Sequence, residues 1–330
     1  MAQKHSNFVR LSSLQVGDLP EHAELPLSKN SRPELDKFFM TLVNDGLAFL
    51  SAKSLADNFS HHSTKPSPPS SSKVEVLTYS IPAAEIGQIE WSDGRTVERS
   101  KPRAPGSEHW FARKSIHRDV SSKSIDQSGS ACWDEFVYGL RDNHSEHEAK
   151  FDPSLYDARP VLDWKRELGL LKARGQLGSW MEPTLGIYEM SRSIPGPLSP
   201  RAFSVLVGTA SVDEDMFIAV TVPVSLNASI DNALYSVGRN IQDGETAQQR
   251  KEVVMGVYAA VETVRRNPVK QEIEWIMATA SDARGNLPMW LQRVSLPSQL
   301  VKDVGNFLKW IQTVDDKEMK KDGQPSGLKT

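Results

Sequence analysis

Residues 274–311, EWIMATASDARGNLPMWLQRVSLPSQLVKDVGNFLKWI, read as a strand, a turn and a long amphipathic helix. In the strand, Trp275 and Met277 lie opposite Ile276 and Ala278, so both faces are apolar. The turn carries D-x-x-G-x-L-P, spelled by Asp282, Gly285, Leu287 and Pro288. The helix is expected over 298–314, with Leu300, Val304, Phe307, Leu308 and Ile311 in one stripe of 3.6-residue period. Lys302, Asp303, Asn306 and Lys309 fall mostly off that stripe. Gly305 sits mid-helix, where it costs about 1 kcal/mol relative to Ala. Either a neighbour approaches the backbone there or the defect is simply tolerated. A closing helix laid on a curved sheet roofs a cavity, and an apolar cavity implies a greasy small-molecule ligand.

Working outward, β-like runs occupy 110–119, 185–193, 202–210, 216–224, 253–265 and 272–281. Turn signals punctuate them: IPGPLSP at 194–200, DED at 213–215 and RRNP at 265–268. The run MFIAVTVPV sets Phe217, Ala219 and Thr221 against Ile218, Val220 and Val222, so it too is apolar on both faces. Such strands are shielded on both sides, or line an internal cavity on one. A first helix is expected over 31–55, opened by a Ser31–Glu34 capping box and carrying Phe38, Phe39, Leu42, Val43, Leu47 and Leu50 at helical spacing. Another starts near Ser130, with Trp133, Phe136, Val137 and Leu140 on one face. Strands outnumber helices and most are joined by hairpin-length turns, which predicts an α+β fold with a largely antiparallel sheet.

The expected organisation is an N-terminal segment and helix over 1–57, a Ser/Pro-rich linker or loop over 58–73, a main domain over 74–314 and a flexible tail over 315–330. The chain has 330 residues, 38% of them hydrophobic and 25% charged, which leaves part of it outside a packed core. A net charge of −3 gives no electrostatic case for nucleic acid. The single cysteine, Cys132, rules out an intrachain disulfide and suits a reducing compartment. No apolar run approaches the roughly 20 residues a bilayer-spanning helix needs. The N-terminus lacks the apolar core of a signal peptide, so a cytoplasmic protein is expected.

Asp282, Gly285, Leu287, Pro288 and the helix after them resemble the ending of START domains, the lipid-transfer domains related to the steroidogenic acute regulatory protein. Other blocks fit in the same order. Residues 133–164 look like the helical region before the central strands. PGPLSPRAFSVLVGTA at 195–210 is similar to their proline-containing loop, arginine and following strand, with Arg201 at the arginine position. VYAAVETV at 257–264 resembles a strand carrying a Tyr and a Glu, here Tyr258 and Glu262. Trp110, Arg113, Ser115 and His117 form a W-x-x-R-x-S-x-H strand similar to one in a START-like family from fungi, catalogued as a domain of unknown function. The resemblance covers about residues 8–314, with the Ser/Pro stretch as an insertion.

This resemblance implies a helix-grip fold: a curved antiparallel sheet wrapped around the C-terminal helix, with an apolar tunnel between them. It implies a sterol, phospholipid or similar hydrophobic molecule as ligand, leaves room for transient membrane contact, and implies no cofactor. The expected ligand-binding residues are Tyr188, Arg201, Tyr258, Glu262, Trp275, Met277, Leu300, Val304, Phe307, Leu308 and Ile311. Arg201, Tyr258 and Glu262 are candidates to meet a head group; a purely structural Arg–Glu pair is the alternative.

No nucleophile elbow, dinucleotide fingerprint or P-loop occurs. The pair His144 and His147 has i, i+3 spacing but no third ligand in sequence, so neither a metal nor a catalytic residue is assigned. A cyclase-like enzyme on the same fold and a non-catalytic interaction module remain alternatives to lipid binding. The volume and polarity of the space between the last helix and the sheet separate the three.

Overall fold

Strands that are apolar on both faces need cover on both faces, and the computed structural model supplies it. It describes residues 8–27, 31–82, 86, 89–90, 96–97, 108–124, 129–194, 196–226, 230–239 and 253–322. The helices are α1 (Leu35–Phe49), α2 (Ala52–Asn58), α3 (Trp133–Phe136), α4 (His144–Phe151), α5 (Lys165–Ala173), α6 (Met289–Ile311) and α7 (Asp316–Asp322). A π-helical turn, Val137–Arg141, continues α3.

The strands, in chain order, begin with β1 (Leu14–Gln15), β2 (Ser60–Pro66) and β3 (Lys73–Ile81). The short pair β4 (Ile89–Glu90) and β5 (Thr96–Val97) forms its own ribbon. Then come β6 (Glu108–Arg118), β7 (Leu155–Asp163), β8 (Met181–Arg192), β9 (Arg201–Asp213) and β10 (Met216–Ser225). β11 (Val254–Met255), β12 (Val257–Asn267) and β13 (Glu272–Asp282) complete the set. The main sheet runs β2-β3-β6-β13-β12-β10-β9-β8-β7, antiparallel throughout, with β1 and β11 added in parallel to β10 and β9. The architecture is thus α+β, a curved antiparallel sheet with a long C-terminal helix.

Period-2 alternation sorts the residues of β10 between two cores. On β10, Ile218, Val220 and Val222 join the outer core with Phe38, Phe39, Leu42 and Val43 of α1. Each such side chain contributes roughly 1.5–3 kcal/mol on burial, which is what holds α1 to the sheet. α1 approaches closely because Gly46 has no side chain; a Cβ there would lie 2.5 Å from Val220 Cγ2. Phe217, the opposite residue on β10, joins the inner core with Trp133, Phe136, Trp275 and Phe307. The inner face is covered by α3, α4 and α6.

Several boundaries differ from the sequence expectation. The first helix is two helices, because Ser51 accepts a bond from Ser54 N–H and caps a new start at α2. The Ser31–Glu34 capping box does not form; Glu34 itself is the N-cap of α1, without a side-chain cap bond. The last helix begins earlier than expected, at Met289, and runs through Pro297. β3, β7 and α5 were not anticipated. The first seven residues of the N-terminal segment and the end of the tail lie outside the described residues.

The supposed linker is a structural clamp. Ser60–Pro66 pairs with β3 as the edge strand β2, polar because both sides of it meet solvent. The chain after it packs on α6 at Gly305. Gly305 N–H donates to Ser67 Oγ at 2.9 Å, and Ser67 Oγ donates to the Val301 carbonyl at 2.5 Å. The hydroxyl therefore sits inside the helical ladder. A Cβ on Gly305 would collide with the Pro68 main-chain carbonyl oxygen. Gly305→Ala is therefore expected to destabilise the protein by about 1–3 kcal/mol, although Ala is the better helix former. Chemical denaturation of the two proteins measures the sign directly.

Candidate functional site

Strand register builds the site from one cross-strand row. Arg113 on β6 pairs with Met277 on β13, Met277 with Glu262 on β12, and Glu262 with Ala219 on β10. All four face inward, beneath α4 and α6, and line a cavity there. Its room for water-sized bodies is about 40 Å³, on the order of three water molecules. Tyr258, Thr221 and Ala260 extend the floor; His144, Glu148, Phe151 and Asp152 come from α4 and its end, and Asp303 from α6.

The row carries a buried ion pair. Arg113 Nη2 donates to Glu262 Oε1 at 3.1 Å, with the two side chains 3% and 8% exposed. Trp275 Nε1–H donates to the same oxygen at 2.6 Å, and the guanidinium lies 3.8 Å from the centre of the Trp275 ring. The attraction and the cation–π contact offset the cost of removing both charges from water. Burial lowers the pKa of Arg113 and Glu262 opposes that shift. Arg113 Nε and Nη1 have no partner among the described residues.

A second cluster closes the other side. Arg192 of β8 binds Glu148 at 2.5 Å and also Asp152. Burial alone would lower the pKa of Arg192, but Glu148 and Asp152 outweigh it and raise it. Asp303 makes no hydrogen bond or ion pair among the described residues, and the surface it retains faces the cavity. Burial first, and the nearby Asp152 second, push its carboxyl up to about 7. Burial likewise raises the Tyr258 hydroxyl, so it stays protonated.

Of the expected ligand residues, Tyr258, Glu262 and Met277 come together at the cavity, with Trp275 directly behind Glu262. Tyr188 points elsewhere and donates to Glu146 Oε1 at 3.1 Å. Arg201 is a correction: it is buried as a clamp on the β13–α6 turn. Its Nε donates to the Ala283 carbonyl at 2.9 Å, Nη2 to Arg284 at 3.3 Å, and Nη1 to Ser199.

The stripe on α6 is also corrected. Val304, Phe307, Leu308 and Ile311 pack into the inner core rather than roofing a tunnel, and Leu300 is buried outside the cavity lining. Phe307 lies 5.2 Å from Trp275 and 5.1 Å from Phe136, so these rings pack together in the inner core. The helix residue that reaches the cavity is Asp303, three after Leu300 and four before Phe307, hence on the inward face after all.

Arg113, Glu148, Asp152 and Asp303 were missed. Arg113 had a signal: with Ser115 and His117 it places polar residues at alternate, inward positions of a buried strand. The histidine pair is accounted for by carbonyl contacts, His144 Nδ1 to Leu140 at 2.5 Å and His147 Nδ1 to Tyr138 at 2.8 Å. No group of potential metal ligands occurs among the described residues. Burial pushes the Cys132 thiol up to about 12, which removes its nucleophilic character.

Asp303 makes the stability of this protein pH-dependent in a defined sense. Its folded pKa exceeds the unfolded one, so the native state binds more protons between about pH 4 and pH 7. Its contribution therefore favours folding below that window and is lost as pH rises through 7. Asp303→Asn should raise the melting temperature more at pH 8 than at pH 5. Thermal scans of both proteins at the two pH values check the difference.

No curated protein matches this chain in sequence. Among solved structures, human STARD10 is similar with TM-score 0.50 and 13% identity, over 84% of this chain and 82% of that one. The human StAR-related lipid transfer protein 5 is similar with TM-score 0.48 and 11% identity, over 83% of this chain and 95% of that one. At these identities the first likeness speaks for the fold alone, which is START-like. A family model matches residues 110–311, the span from β6 through α6 that builds the cavity, and by that match the chain belongs to the family described as Protein of unknown function (DUF3074).

Proposed function

We propose that this protein binds a lipid or similar amphiphile between α6 and the sheet, seats its polar head in the cavity, and moves or presents it. The observation that carries this reading is the mixed lining of a cavity on a START-like fold. Charged groups, Arg113, Glu262 and Asp303 among them, share the walls with Phe151, Ala219, Ala260 and Met277. Water alone needs no apolar wall, and a wholly apolar ligand needs no buried charge.

A space of about 40 Å³ takes a head group and not a tail, so loading requires the wall to yield. α6 offers the means. Its C-terminal half is pinned by Ser67 and by the inner core. Its N-terminal half precedes Pro297, which gives no N–H to the helical ladder and so forms a natural hinge. Gln292 latches that half, accepting from Ala283 N–H at 2.8 Å and donating to the Leu287 carbonyl at 3.0 Å. The same half presents Trp290, Leu291 and Val294 to solvent, 66%, 40% and 69% exposed, beside Arg293. An exposed Trp with aliphatic and cationic neighbours suits the interface of a bilayer, where an amphiphile would be collected or delivered. The lone Cys132 suits a reducing compartment, and this reading places the activity in the cytoplasm.

Asp303 supports a second reading, acid–base chemistry on an apolar metabolite. A carboxyl that titrates near neutrality beside a cavity is poised for proton transfer. Recovery of a bound molecule unchanged after prolonged incubation favours binding; recovery of an altered molecule favours catalysis.

Native mass spectrometry after incubation with lipid vesicles should show one bound amphiphile per chain. Ala260→Leu, which fills the cavity floor, should abolish that adduct while leaving the fold intact by circular dichroism. An adduct unaffected by Ala260→Leu refutes the site. Replacing Trp290 and Leu291 together by Ala should slow lipid uptake from vesicles with no change in melting temperature. Equal uptake rates would remove the membrane-contact role from α6.

A further inference from the structure

The cavity holds more acid than base. Glu148, Asp152, Glu262 and Asp303 bring four carboxyl groups to it. Arg192 serves Glu148 and Asp152, and Arg113 serves Glu262. His144 Nδ1 lies 4.0 Å from Glu262 Oε2 and 2.5 Å from the Leu140 carbonyl oxygen. Asp303 lines the cavity with no direct hydrogen bond or ion pair among the described residues, although Arg113 and Arg192 lie near enough to oppose the effect of burial on its carboxyl. Arg113, in the same lining, retains two buried N–H donors, Nε and Nη1, without partners among the described residues. The site thus lacks a cation in direct contact with Asp303 and an acceptor for the spare donors of Arg113.

We propose that the head group seated here is a protonated amine carrying a neighbouring hydroxyl, on a single long alkyl chain. This rests on the reading of the cavity as a head-group site and narrows it to one chemical class. The ammonium supplies the missing counter-charge to Asp303, with Glu148 nearby, and the hydroxyl oxygen accepts from Arg113 after a small turn of the guanidinium. Size agrees, since an amino-alcohol head is comparable with the three or so waters the space would hold. A carboxylate or phosphate head would bring further negative charge toward four carboxyl groups that have only two guanidiniums between them. A lone hydroxyl, as on a sterol, would satisfy Arg113 and leave Asp303 as it is.

The test varies the head on a constant chain. Full-length protein is incubated with phosphatidylcholine vesicles containing octadecylamine, octadecanol, octadecanoic acid or sphinganine, and bound ligand is measured by native mass spectrometry. Sphinganine and octadecylamine should be retained about tenfold more than the alcohol or the acid. Asp303→Asn should erase that preference and leave octadecanol unchanged. Retention of the alcohol or the acid equal to that of the amines overturns this inference and leaves the cavity reading standing. Failure of all four to bind overturns both. Stearoyl lysophosphatidylethanolamine, which carries the same ammonium behind a phosphate, distinguishes a long-chain base from an aminophospholipid; preference for it over sphinganine overturns the small-head assignment. Should Asp303→Asn not fold, the head series on the wild-type chain decides the question alone.

Discussion

The structure depends on a sheet that water must not reach from either side. Its central strands place large apolar groups on both faces, so a single covering layer would leave one face exposed at roughly 25 cal/mol for each Å² of apolar surface. Two separate parts of the chain meet this requirement. The N-terminal segment and α1 cover the outer face, and α3, α4 and α6 cover the inner one. Sequence far from the site is in this way bound to it: α1 fixes β10 from behind, and β10 carries Ala219 and Thr221 into the cavity floor.

Inner and outer cover differ in chemistry. Outside, helix meets sheet through aliphatic and aromatic contacts, closely enough that Gly46 has no room for a methyl group. Inside, aromatic packing around Trp275, Phe136 and Phe307 surrounds a small region of buried charge. Such charge is costly unless paired, and most of it is paired: Arg113 with Glu262, Arg192 with Glu148 and Asp152. Among the residues that line the cavity, Asp303 and the spare donors of Arg113 depart from balance. Imbalance inside an otherwise well-paired interior is a mark of function more than of stability, because stability alone would have replaced or paired those groups.

Where local pattern sets local structure, the sequence was informative. Alternation in MFIAVTVPV and EWIMATAS announced strands buried on both faces, and β10 and β13 are such strands. Gly305 was marked as a place for close approach, and Ser67 and Pro68 make that approach. Which element would come close was not legible, because SHHSTKPSPPSSSK has the composition of a linker. It is ordered by pairing at the sheet edge and by a hydroxyl bond 238 positions away, and neither leaves a compositional trace. Arg201 shows the opposite error. A lone arginine after a proline loop suggested a head-group anchor, yet three main-chain carbonyls claim it.

By itself, then, the sequence determined the class of fold and the closing strand–turn–helix. Those follow from periodicities of 2 and 3.6, which are properties of neighbouring residues. Only the tertiary structure decided the character of the interior. Arg113 meets Glu262 because register aligns β6, β13 and β12, and Asp303 joins them because α6 lies across that row. A charge reads as surface in a linear pattern until long-range packing encloses it, and here that enclosure lines a small cavity with charged groups.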